Sequence, residues 1–110
     1  MAYIENWGVE EEDAEKGVQL LKTAADNGEA NAQITLAGMY RKGEHVEKNV
    51  AEAIHWYRMA ALQGHEHAQL ALGTIFMEGT RKNPLEAKKW LKQAAGQGNS
   101  RARALLSQLN

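Results

Sequence analysis

The stretch AQITLAGMYRKGEHVEKNVAEAIHWYRMAALQG, residues 32–64, decides the fold because the chain on both sides of it repeats it. Residues 68–98, AQLALGTIFMEGTRKNPLEAKKWLKQAAGQG, align with it at an offset of 36 residues in the first half and 34 in the second. The loop GEHVEKN is two residues longer than its counterpart GTRKN, which explains the change of offset. Residues 13–28 match the second half of the stretch, and residues 99–110 restart the first half. A fixed period of this size is typical of stacked helical repeats.

Each copy predicts two helices, which we name A and B in chain order. The predicted B helices cover 14–27, 50–63 and 84–97, follow the N-cap residues Asp13, Asn49 and Asn83, and end at Gly28, Gly64 and Gly98. The predicted A helices cover 29–42, 65–78 and 99–109, and the first two end at Gly43 and Gly79. Glu52 and Glu86 follow the two asparagines at the spacing of a capping box. The pattern predicts six helices.

The apolar residues of each predicted helix fall on one side. Ala32, Leu36 and Tyr40 share a face of an A helix, and Trp56 with Ala60 share a face of the B helix after it. Two such faces bury each other, so the pattern predicts an all-α fold, an α-solenoid of antiparallel helix pairs. We divide the single domain, 1–110, into a partial repeat (1–28), a complete repeat (29–64), a complete repeat with a short loop (65–98) and a C-terminal capping helix (99–110).

Composition excludes several classes of function. The formal net charge of the 110 residues is −1, from 13 basic and 14 acidic side chains, so neither nucleic acid nor an anionic membrane is the expected partner. The chain has no cysteine, which excludes disulfides, cysteine zinc sites and cysteine nucleophiles. No stretch approaches the roughly 18 apolar residues of a membrane span. We therefore expect a soluble, cytoplasmic protein.

The repeated positions resemble the Sel-one-like repeat, a relative of the tetratricopeptide repeat. They are Ala32, Leu36-Ala37-Gly38-Met39-Tyr40, Gly43, Val46, Asn49, Glu52-Ala53, Trp56-Tyr57, Ala60-Ala61 and Gly64, with a second set from Ala68 to Gly98. Ala37 stands where the family pattern has glycine. The resemblance implies a superhelical scaffold that binds another protein or a peptide in the concave groove of its A helices.

The candidate binding residues are those on the arc of the A helices that the packing pattern leaves over. They are Asn31, Ile34, Arg41, Lys42, His67, Leu70, Thr74, Met77, Glu78 and Arg101. In tetratricopeptide-like stacks this arc lines the concave surface. Ile34, Leu70 and Met77 would then form an apolar strip flanked by charges, which suits a peptide or a partner helix. The alternative is that these three residues pack between adjacent A helices.

No pattern in the chain predicts catalysis, a metal or a cofactor. His65 and His67 begin a helix, but the HExxH motif would need a second histidine at the position of Gln69. Residues two apart on a helix point about 200° apart, which predicts two surface histidines that share no ion. Trp56 and Trp90 occupy repeated positions, so we interpret them as core residues and not as a stacking platform.

The leading hypothesis is therefore a non-enzymatic adaptor for a partner protein. The alternative is an inhibitor or immunity-type protein that blocks one enzyme or toxin, and a more remote one is a hydrolase or β-lactam-binding enzyme. Leu105, Leu106 and Leu109 form an apolar face that no later B helix covers. Either the terminus bends back, or two chains form a homodimer through this C-terminal helix.

Overall fold

The computed structural model describes residues 7–109, and it describes side chains from Asp13 onward except that of Thr80. The helices are α1 (Trp7–Asp26), α2 (Ala30–Lys42), α3 (Val50–Leu62), α4 (Glu66–Met77), α5 (Pro84–Gly96) and α6 (Ser100–Leu109), with a short 3-10 turn at Gly79–Arg81. No strand occurs among the described residues. Helices α2, α4 and α6 are the predicted A helices, and α1, α3 and α5 are the B helices. The predicted all-α solenoid is confirmed.

The core runs along the array as three connected clusters because each helix packs against the helix before it and the helix after it. Val18 of α1 and Leu36 of α2 belong to the N-terminal cluster, and Leu91 belongs to the C-terminal one. Trp90 is 1% exposed in the central cluster, and Trp56 packs against both the N-terminal and the central clusters. The prediction that the repeated tryptophans are core residues is confirmed for Trp90, whereas Trp56 is half-buried at the edge of the core.

The predicted asparagine caps of α3 and α5 are confirmed. The Oδ1 atom of Asn49 accepts the backbone N–H of Glu52 at 3.1 Å, and that of Asn83 accepts the N–H of Glu86 at 3.2 Å. These bonds satisfy amide donors that the first turn of a helix otherwise leaves unpaired. The Glu86 carboxylate accepts a bond from Arg58 of α3 at 3.3 Å, which joins two B helices.

The two loops that lead into α3 and α5 are closed in the same way despite their different lengths. The backbone N–H of Asn49 donates to the Tyr40 carbonyl at 2.8 Å, and that of Asn83 donates to the Phe76 carbonyl at 2.7 Å. Tyr40 and Phe76 are equivalent in the repeat. Each capping asparagine is therefore held against the end of the preceding A helix.

The predicted start of the first B helix is wrong. Asp13 is not an N-cap, because α1 begins at Trp7 and Asp13 lies inside it. Three consecutive glutamates, residues 10–12, precede Asp13. Glutamate favours helix, and negative charge is stabilising near a helix N-terminus. Nothing in this segment therefore prevents the helix from beginning before residue 14. The other five predicted helices agree with the structure to within one residue at each end.

The glycines that were predicted to end the helices do so with one exception. Gly28, Gly64 and Gly98 have φ angles of 93°, 89° and 98°, the left-handed conformation expected after the B helices. Helix α4, in contrast, ends at Met77, and an extended Glu78 separates it from Gly79. Gly79 begins the 3-10 turn because this loop has two residues fewer to reach Asn83 than the loop of the preceding repeat.

Glutamine side chains join one repeat to the next. Gln69 is 2% exposed and donates from Nε2 to the Ala61 carbonyl at 3.3 Å and to Gln93 Oε1 at 3.2 Å. Its own Oε1 accepts a bond from Gln97 Nε2 at 2.9 Å, and Gln97 also donates to the Gly64 carbonyl at 2.8 Å.

The same arrangement occurs one repeat earlier. Gln33 is fully buried and donates to the Ala25 carbonyl at 3.0 Å. Gln63 donates to Gln33 Oε1 and to the Gly28 carbonyl, both at 3.0 Å. The paired amides fix the end of each B helix against the preceding A helix and against the turn that leads into that A helix.

We expect Gln69→Leu to lower the free energy of unfolding by about 2 kcal/mol, because leucine fills the space but loses three hydrogen bonds at a buried site. Urea unfolding followed by circular dichroism measures the change. Gln108→Leu is the control, since Gln108 is exposed on α6 and its loss should change stability by less than about 0.5 kcal/mol. Equal effects of the two substitutions would contradict a structural role for the amide pair.

Candidate functional site

The ten predicted site residues divide by exposure. Asn31, Lys42, His67, Glu78 and Arg101 are exposed, whereas Ile34, Arg41, Leu70, Thr74 and Met77 are half-buried. They come from α2, α4 and α6, with Glu78 directly after α4. The Thr74 hydroxyl already donates to the Leu70 carbonyl at 2.9 Å, so its donor is used within α4.

The apolar strip serves the packing of the array as well as its surface. Ile34 and Met77 pack against the central cluster, and Leu70 and Met77 pack against the C-terminal cluster. Each of the three is half-buried and keeps a part in contact with solvent. This supports the alternative that the three side chains pack between helices. The apolar surface that they leave exposed is therefore smaller than that of a fully exposed strip.

A cavity of about 400 Å³ brings three of the predicted residues together at the junction of two repeats. Arg41 comes from the last turn of α2, Thr74 from α4, and Glu78 from the segment after α4. The other lining residues are Lys48, Val50, Ile75, Gly79 and Arg81. The remaining predicted residues lie outside this cavity.

The sequence did not predict the parts of the cavity that the loops contribute. Lys48 lies in the loop between α2 and α3, and Arg81 lies in the 3-10 turn after α4. Helical periodicity assigns faces only within helices, so it says nothing about where these two cations project. The available signal was the basic residue in each loop close to its capping asparagine, together with Arg41 at the end of α2.

A larger depression, of about 820 Å³, lies along α1 and contains none of the predicted residues. Its lining includes Val18, Leu20 and His45, with one acidic and one basic side chain, Glu15 and Lys16. These two charges cancel, and no side chain there comes from an A helix. We therefore centre the candidate site on the smaller cavity.

The angular argument against a shared ion at His65 and His67 is wrong. Their ring centroids lie only 5.9 Å apart, because His65 precedes the first residue of α4 and has an extended backbone with ψ 117°. A protein metal site needs further ligands. In the part of the chain that the structure describes, no group of three or more histidine, aspartate, glutamate or cysteine side chains is arranged to hold a metal.

Part of the apolar face of helix α6 is covered by its packing against the rest of the array. Leu105, Leu106 and Leu109 are half-buried against the C-terminal cluster, and Leu109 also packs against the central cluster. The Asn99 Oδ1 atom caps the helix by accepting the N–H of Ala102 at 2.8 Å. The homodimer through this helix stays a prediction.

Helix pairs of this length, stacked in register and joined by equivalent side-chain bonds, define a helical repeat scaffold of the solenoid class. The family model for the Sel1 repeat matches residues 1–29, 30–65 and 66–99. The chain therefore belongs to the Sel1 repeat family, as the resemblance predicted.

Two solved structures share the fold. A Sel1 repeat protein from Oxalobacter formigenes is 42% identical, with a TM-score of 0.75 over 81% of this chain and 37% of that one. The c5321 protein, a protective antigen present in uropathogenic Escherichia coli strains and displaying an SLR fold, is 38% identical, with a TM-score of 0.72 over 77% of this chain and 19% of that one.

Two curated relatives are mammalian. DAP3-binding cell death enhancer 1 is 38% identical in Rattus norvegicus and 36% identical in Mus musculus, in each case over 64 residues or 58% of this chain. The match spans only 13% and 12% of the length of these relatives.

Sel1 repeats are generally protein–protein interaction modules and non-catalytic scaffolds. None of the described helices has both the length and the apolar character needed to cross a membrane.

Proposed function

We propose that this chain is a cytoplasmic adaptor of bacterial origin that binds a partner protein or peptide on the exposed side of its A helices. The observation that carries the proposal is the cavity in which Arg41 of α2 meets Thr74 and Glu78 of the next repeat. Half-buried Ile34, Leu70 and Met77 supply apolar contact area on the same helices, and the charged residues orient the partner.

The test uses exposed residues, because a charge placed at Leu70 or Met77 would also damage the packing of the array. His67→Glu with Arg101→Glu places two negative charges at equivalent positions on α4 and α6. We expect this variant to lose at least about tenfold in affinity for the physiological partner, a change of about 1.4 kcal/mol. Affinity capture from the source cell, followed by titration of the captured protein, measures the change.

The matched control is His55→Glu with Lys92→Glu, which makes the same change of charge at exposed positions of the B helices α3 and α5. Circular dichroism should show the same helical content in both variants. Retention of the partner by the A-helix variant and its loss by the control would move the binding surface to the B helices. A stoichiometric complex with one enzyme or toxin would favour the inhibitor or immunity-type alternative over an adaptor.

A further inference from the structure

The cavity between the two complete repeats has a strong positive bias. Arg41, Lys48 and Arg81 contribute three cationic side chains to its lining, against the single carboxylate of Glu78. The whole chain carries a formal net charge of −1, so this concentration of positive charge is local. Clefts lined by one sign of charge raise the local concentration of ligands of the opposite sign.

None of these three cationic side chains takes part in the ion pair that joins neighbouring B helices. Among the described side chains that pair is Arg58 with Glu86, 3.3 Å apart, and neither residue lines the cavity. Lys48 and Arg81 are exposed, and Arg41 is half-buried at the end of α2. Their charged groups can therefore meet an incoming anion at the cavity.

The cavity depends on both repeats. Arg41 and Lys48 belong to the first complete repeat and Arg81 to the second, so the cationic groups face each other only when the repeats are stacked. Val50, half-buried, and Ile75, buried, add an apolar part to the lining. Such a lining suits a side chain that has both a carboxylate and an aliphatic stem.

The volume limits the size of the occupant. About 400 Å³ lies near the lower end of the roughly 300–1,000 Å³ of small-molecule pockets. This is room for one or two amino-acid side chains. Arginine offers a planar fork of donors that matches a carboxylate, and two of the three cations are arginines.

We infer that this cavity is a docking site for a peptide segment with one acidic residue, which places its glutamate or aspartate carboxylate among Arg41, Lys48 and Arg81. The inference rests on the proposed partner-binding function and names the chemistry of the partner. Glu78 at the same cavity disfavours a second carboxylate close to the first, because like charges repel there. The preferred segment therefore has an acidic residue beside neutral or basic ones.

The test measures binding of fluorescein-labelled peptides by fluorescence anisotropy. The probe is a Gly-Ser peptide with one central glutamate, compared with the same peptide carrying glutamine or lysine at that position. We expect the glutamate peptide to bind at least about tenfold more tightly than the glutamine peptide, and the difference to shrink as salt is raised, because salt screens exposed charges.

Two charge-reversed variants locate the binding. Lys48→Glu with Arg81→Glu reverses two cations of the cavity, and Lys16→Glu with Lys92→Glu reverses two exposed cations of the B helices α1 and α5. Each pair removes two positive charges and adds two negative ones, so both take the formal net charge from −1 to −5. We expect the first variant to lose the preference for glutamate and the second to keep it.

Equal loss in both variants would show a general charge effect and overturn the inference, as would a wild-type protein that binds the glutamate and glutamine peptides alike. Changes in amide chemical shift on addition of the glutamate peptide that are confined to residues around the cavity would support the inference. Loss of the physiological partner in the His67 and Arg101 variant, together with no preference for glutamate, would leave the proposed function in place and remove only this inference.

Discussion

Trp90→Ala is expected to lower the free energy of unfolding by about 3–5 kcal/mol, the cost of truncating a fully buried aromatic side chain. Trp90 is 1% exposed and is the largest fully buried side chain among those that the structure describes. It packs in the central cluster with residues of α3 and α4, so its loss opens a cavity where three helices meet. Single domains are stable by only about 5–15 kcal/mol, and the variant should therefore unfold at much lower urea concentration.

Trp56→Ala is the matched comparison. Trp56 is half-buried, so less apolar surface is lost and we expect a decrease of about 1–3 kcal/mol. Urea unfolding followed by circular dichroism at 222 nm measures both variants without relying on tryptophan fluorescence. A stable Trp90→Ala variant that had lost a binding activity would contradict the core role and favour a stacking platform.

Gly73→Ala is expected to destabilise the protein by about 1–3 kcal/mol, although alanine is the better helix former. Gly73 is buried in α4, and a Cβ atom there would overlap the branched end of the Leu91 side chain from α5. Leu91 is itself fully buried, so it has little room to move away. The loss comes from separating two helices that contact through this glycine.

Gly96→Ala is the control, for which we expect a change in stability of the opposite sign. Gly96 is exposed near the end of α5, and a Cβ atom there would meet nothing within 4 Å. We expect this substitution to be neutral or to stabilise by up to about 1 kcal/mol. In the double variant Gly73→Ala with Leu91→Ala the overlap is gone, so the total loss should be smaller than the sum of the two single losses. Additive losses would contradict the contact.

The first complete repeat explains why one family glycine is absent. Ala37 occupies the place of Gly73, and Tyr57 occupies the place of Leu91. Both Ala37 and Tyr57 are buried in the central cluster, so a Cβ atom is accommodated beside the tyrosine. The sequence alone shows two separate differences between the copies, whereas the structure places both residues in the same buried cluster.

Repetition predicted the positions of the helices well and the environment of each position less well. Leu20 aligns with Trp56 and Trp90, yet it is 72% exposed. Each of those tryptophans packs against helices that precede it in the array, and among the described residues α1 has no such neighbour. An alignment of repeats gives the register of a residue but not the number of neighbours that cover it.

The candidate site was predictable only where helices form it. Periodicity placed Arg41 and Thr74 on the outward side of their helices, and both line the cavity. Lys48 and Arg81 depend on the paths of two loops of different length, which no periodic pattern specifies. The buried Gln33 and Gln69 were missed for a related reason, since each donates to a carbonyl of the neighbouring repeat, Ala25 for Gln33 and Ala61 for Gln69.

The glutamine pairs also determine how this scaffold responds to its surroundings. Gln33, Gln63, Gln69 and Gln97 carry no charge, so the bonds that they donate to carbonyls of the preceding repeat neither titrate nor weaken by ionic screening. The cationic cavity at the same junction has the opposite property, because its attraction for an anion fades as ions accumulate. A change in the ionic medium would thus release a charged partner from a framework that keeps its shape.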